Sequence, residues 1–113
     1  MGDAVPVSGR MIARVWRGAT RVEDAEDYAA YVEQTGLASA RALAGNRGTL
    51  VLRRVDGDRA EFETILLFDS LDDIRAFAGD DLETAVFYPE DDRFLIEREP
   101  LARHYEVDVH VGA

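Results

Sequence analysis

Arg14 and Trp16 lie two residues apart in RMIARVWRG, a run whose apolar alternation reads as a strand and sets both side chains on one face. An indole offers a stacking surface and one N–H donor, which suits a planar aromatic ligand; a Trp filling the sheet–helix junction is the structural alternative. A guanidinium in an apolar strand must find a carboxylate or an anion. Glu61, Glu63 and Glu106 are its candidate partners in a structural ion pair. The catalytic alternative is a fixed cation that stabilises a phenolate or a developing oxyanion. His104 and Glu106 repeat the two-residue spacing in the last strand. A histidine of near-neutral pKa can take a phenolic proton while a carboxylate orients it, although the same pair also suits an exposed strand face.

Aromatic groups gather on or after the two helical stretches: Tyr28, Tyr31, Phe77, Phe87 and Tyr88. Tyr28 belongs to the face that meets the sheet, and Tyr88 precedes Pro89 in a segment able to act as a lid. Together with Phe77 they make candidate binding residues of an apolar, aromatic-lined cleft, a composition that a filled core shares. His104, Glu106, Asp108 and His110 alternate along one line and do not converge on a metal ion, so no metal site is expected. No phosphate-binding glycine loop, serine triad or flavin fingerprint is found, and no cofactor is expected.

The composition narrows the classes of function. The chain has 113 residues, no Cys and a net charge of -10, and its basic side chains other than histidine are all Arg. That charge works against binding nucleic acid or an anionic membrane. Cys absence excludes disulfides, thiolate metal sites and a cysteine nucleophile, and it suits the cytoplasm. No apolar run approaches a membrane span, and no secretory signal is evident.

These side chains need a scaffold. Residues 1–9 read as a flexible leader and residues 10–113 as one domain. Strands are expected over 10–18, 49–55, 60–68 and 103–111, with Gly18 ending the first and Asp56-Gly57-Asp58 forming a hairpin turn. Thr20 with Glu23, and Ser70 with Asp73, have the spacing of helix caps. The first helix runs to Gly36 and adds a turn or two over 37–43; the second carries Leu71, Ile74, Phe77 and Ala78 and stops at Gly79. Short helical turns are expected over 80–87 and 93–96. The order β-α-β-β-α-β is the split arrangement of ferredoxin-like α+β domains, with both helices on one face of a four-stranded antiparallel sheet. Ile65, Leu66, Leu67 and Phe68 are apolar on both faces, yet the chain has helices for only one. A second copy covering the open face is the expected partner, giving a homodimer.

MIARVWRG, GNRGTLVLRR, FETILLFDSLDDIRAFAG and YPEDDRFLIEREPLARHYEVDV resemble the dimeric α/β barrel superfamily, and within it the antibiotic biosynthesis monooxygenase type, over residues 11–109. The resemblance implies a ligand pocket between sheet and helices, and an activity among cofactor-independent oxidation of polycyclic phenols, haem degradation and unassigned roles. The haem-degrading branch uses an Asn, an aromatic and an axial His. Met11 falls near the Asn position and Phe77 near the aromatic one, but no His lies between Tyr28 and Arg103. The reading is therefore a cofactor-independent monooxygenase of a hydroxylated aromatic, with Arg14, Trp16 and His104 as catalytic candidates. Tyr28, Phe77 and Tyr88 would bind the substrate. The alternative is a non-catalytic dimeric module that binds a small apolar or aromatic ligand.

Overall fold

The computed structural model describes residues 10–110. The leader at residues 1–9, and Val111 at the end of the expected last strand, lie outside them. β1 (Ile12–Arg21) leads through a 3-10 turn into α1 (Ala25–Val32), which continues through a π-helical segment (Glu33–Leu37) into α2 (Ala38–Arg41). β2 (Asn46–Asp56) and β3 (Arg59–Phe68) form a hairpin, followed by α3 (Leu71–Ala78), α4 (Asp91–Phe94), β4 (Leu95–Arg98) and β5 (Arg103–Glu106). The sheet runs β2-β3-β1, and the far edge of β1 is shared by β4 and β5. The architecture is α+β with an antiparallel sheet, as expected, but its fourth strand is broken in two.

The break has a local cause. β5 pairs with Ile12–Val15 of β1 and β4 with Gly18–Thr20. Between them Pro100 has no N–H to give to a ladder. The chain there turns to another partner: Ala85 N donates to Pro100 O and Ala102 N to Glu83 O, at 2.9 and 2.8 Å. The same pairing, with a Thr84–Leu101 bridge, holds residues 80–87 as a turn followed by irregular chain, so the short helix expected there does not form. The turn expected over 93–96 is likewise corrected: α4 ends at Phe94 and a strand begins at Leu95. The last strand stops at Glu106 instead of reaching Val111.

Gly18 does not end β1. It sits opposite Phe62 of β3 and Arg98 of β4, and the strand continues to Arg21. Thr20 therefore lies within the strand, donates to Arg21 O, and makes no capping box with Glu23. Ser70 does cap α3, its hydroxyl accepting from Asp73 N at 3.2 Å. At the hairpin tip Gly57 has φ +64, which the first position of a II′ turn requires.

Alternation divides the sheet. Ile12, Phe62, Leu66 and Phe68 face the helices and pack with Tyr28, Val32, Ile74 and Phe94 in one core. The cross-strand partners Ala13–Leu67, Val15–Ile65, Leu50–Ile65 and Ala13–Tyr105 share the opposite face. Among the described residues, no segment covers that face. Leu50, Leu52 and Tyr105 remain 51%, 45% and 50% exposed.

Candidate functional site

A cavity of about 70 Å³ opens between the helix face of β1 and β3, the π-helical segment after α1, and the chain at residues 85–88. Of the residues singled out by sequence, Arg14, Trp16, Tyr28, Phe77 and Tyr88 all line it. His104 does not; it stands behind Arg14.

Trp16 is fixed by a close approach. A Cβ at Gly18 would come within 2.4 Å of the indole, so only glycine leaves the ring its seat. The indole N–H donates to Glu99 O at 2.7 Å, and the ring meets Phe87 edge-on with centroids 6.0 Å apart. Thus the single Trp is anchored at its polar end and lends its apolar surface to the cavity wall.

Arg14 is 3% exposed and has none of the expected carboxylate partners. Its Nη1 donates to Leu82 O and to His104 Nε2, the latter at 2.9 Å, and its Nη2 to Thr84 O at 2.9 Å. Glu61 pairs with Arg54, Glu63 with Arg17, and Glu106 with Arg10. Parity explains the first two: Glu61 and Glu63 lie opposite Ala19 and Arg17 on the open face, away from Arg14. Burial lowers the Arg14 pKa, yet a guanidinium stays charged. Of its five N–H groups, those on Nε and the second on Nη2 have no acceptor among the described residues. The charge lies 5.7 Å from the centre of the Phe77 ring, within cation–π range.

His104 lies opposite Arg14 in the β1–β5 ladder. Because Arg14 donates to Nε2, the imidazole proton belongs on Nδ1 and the ring is neutral. Burial first, and the Arg14 charge second, hold its pKa below the usual value. Glu106 does not orient it, since that carboxylate is tied to Arg10 at 2.8 Å.

Tyr28 is packed between Phe62 and Phe94, with ring centroids at 4.9 and 5.7 Å. Burial, with Asp91 adding to it, pushes its hydroxyl well above the ordinary tyrosine range. Tyr88 packs by Gly36, and its backbone N–H donates to Asp91 Oδ2 at 2.7 Å. The adjoining chain is held to the helix by Glu90 N, which donates to the Tyr31 hydroxyl at 3.0 Å.

Asp91 was not anticipated. It lines the cavity at 6% exposure, and burial raises its carboxyl pKa. In YPEDD nothing distinguishes it from Glu90 and Asp92; only the packing of α4 under Tyr28 does. Among the described residues no three metal-ligating side chains converge.

No family model matches this chain, and no curated protein does. Its fold is shared with solved structures. One is a provisionally assigned antibiotic biosynthesis monooxygenase from Bacillus cereus, with TM-score 0.65 and 13% identity over 93% of this chain and 100% of that one. A protein of unknown function from Nitrosomonas europaea gives TM-score 0.63 and 15% identity over 95% and 98%. A second Nitrosomonas europaea protein, also provisionally assigned as an antibiotic biosynthesis monooxygenase, gives TM-score 0.63 and 14% identity over 96% and 100%. The chain is a ferredoxin-like α+β domain. More narrowly, it has the fold of the antibiotic biosynthesis monooxygenase-like domains, and identities this low speak to fold alone.

Proposed function

We propose that this protein is a cofactor-independent monooxygenase that oxidises a hydroxylated aromatic molecule to a quinone with dioxygen. The observation that carries the reading is Arg14: a buried cation with two unclaimed N–H donors, set in a wall of aromatic rings. Such a group stabilises a phenolate, and deprotonation is what makes an electron-rich ring able to reduce dioxygen. The phenolate carbon adds dioxygen to give a peroxide, which takes up a proton. Loss of the ring C–H proton with O–O cleavage then leaves a quinone and water. One oxygen atom ends in each product, and the substrate supplies every electron.

Trp16 and Phe77 offer the ring surfaces, and Tyr28 and Tyr88 close the sides. His104 holds Arg14 in place from behind. A cavity of about 70 Å³ is smaller than most ligand sites, so a polycyclic substrate requires the wall at residues 85–88 to move outward. The small cavity is also what favours the second reading, a module that binds a small aromatic ligand without turning it over.

Oxygen uptake with a panel of mono- and polycyclic hydroxyaromatics separates the two. Uptake with at least one compound, lost in Arg14→Met, supports the oxygenase. Thermal stabilisation by a compound with no oxygen uptake supports the binding module.

The exposed apolar face of the sheet supports the homodimer. Leu50, Leu52 and Tyr105 share that face with Val15, Ile65 and Leu67, and a second copy would bury these apolar side chains about a two-fold axis.

A further inference from the structure

We propose that Asp91 is the base of this site, taking a hydroxyl proton from the bound aromatic. The inference rests on the reading of the cavity as a hydroxyaromatic site. His104, the base suggested by sequence, has its Nε2 lone pair occupied by Arg14 and does not line the cavity. Asp91 does line it, and is the one buried carboxylate among the described residues. It forms no ion pair among the described residues: Arg98, the cation that acts on it, is held by Asp92 at 2.7 Å. Its Oδ2 accepts from Tyr88 N, and no protein donor among the described residues reaches Oδ1. That leaves a carboxylate aimed by one hydrogen bond, with one oxygen available.

The groups around it favour proton uptake. Burial does most of this and Asp92 adds to it, Tyr28 on α1 stays neutral, and the Tyr88 N–H bond and Arg98 on β4 oppose. A phenolate entering the same cavity adds a further like charge, and two neighbouring anions do not both remain ionised. The balance is simple: the substrate O–H breaks, the proton moves to Asp91, and the electron pair stays on the substrate oxygen. The same proton then protonates the peroxide formed with dioxygen.

The test is calorimetric titration with para-nitrophenol above its own pKa, in two buffers of different ionisation heat. The wild-type protein should take up a single proton per phenolate bound, and Asp91→Asn should bind without uptake. His104→Gln should keep the uptake. Turnover of any oxidised compound should drop about a hundredfold to ten-thousandfold in Asp91→Asn. Binding by the wild type with no proton uptake overturns the proposal, whether or not the variant folds. Uptake that survives Asp91→Asn and vanishes in His104→Gln overturns it in favour of the histidine. Absence of any binding by the wild type takes down the hydroxyaromatic reading itself, and the base with it.

Discussion

Arg14 Nη1 and His104 Nε2 meet at 2.9 Å across the β1–β5 ladder, and this pairing sets the chemistry of both side chains. It makes the imidazole an acceptor and therefore neutral. It also fixes a guanidinium whose remaining bonds run to two carbonyls, Leu82 O and Thr84 O, of the segment leading to the cavity wall. The cation thus belongs at once to the site and to the structure that shapes it.

Arg14→Lys should separate these roles. A lysine keeps the charge but lacks the fork that spans Leu82 O, Thr84 O and His104. We expect a loss of about 1–3 kcal/mol from unpaired buried acceptors, read by denaturant melts, together with weaker binding of para-nitrophenolate.

His104 predicts the direction of the pH dependence. Its folded-state pKa lies below the usual 6.5, because burial and the Arg14 charge disfavour the imidazolium. The unfolded chain then binds the proton more readily, so the stability from neutral His104 is complete above pH 6.5 and is lost as pH falls through the folded-state value. His104→Gln should flatten this part of the curve in thermal melts across a pH series.

Asp91 has the opposite sign. Burial raises its pKa above the ordinary 3.8, so a charged Asp91 weakens the fold at neutral pH. Asp91→Asn keeps an oxygen for Tyr88 N–H and should melt higher than wild type at pH 7. The gain should shrink as pH falls toward 3.8, where the wild-type carboxyl is protonated as well.

Gly18→Ala should expel the Trp16 ring. The new Cβ would stand 2.4 Å from the indole and 3.2 Å from Glu97 O, and the backbone carbonyl cannot give way cheaply. We expect a cost of about 1–3 kcal/mol and a red shift of the fluorescence from the chain's single Trp.

Leu52→Glu tests the open sheet face. Leu52 is directly opposite Glu63, so the substitution places two like charges side by side on the surface proposed to pair. Light scattering should give twice 12.6 kDa for the wild type and 12.6 kDa for the variant, which should still melt cooperatively. A monomeric wild type would sink the dimer.

Much of the scaffold was legible because local rules decide it. Two-sided apolarity at Ile65–Phe68 marked a central strand, Asp56-Gly57 a hairpin, and Ser70 with Asp73 a true helix cap. Thr20 with Glu23 has the same cap spacing and forms none, because β1 finds partners on both sides as far as Thr20. The helix expected over 80–87 failed for a related reason. Its backbone groups are claimed by Arg14, Pro100 and Ala102, none of them near in sequence.

The sequence by itself determined the alternation of the strands, the ferredoxin-like order and a set of aromatic side chains of which all but Tyr31 line the cavity. Those depend on periods of two and of about 3.6 residues, which a chain carries in its own order. Only the tertiary structure decided that Arg14 would meet His104 and two carbonyls instead of a glutamate. It alone singled out Asp91 from its acidic neighbours. A side chain's partners and its pKa depend on burial and on charges brought from distant strands, and neither exists until the sheet and helices have closed on one another.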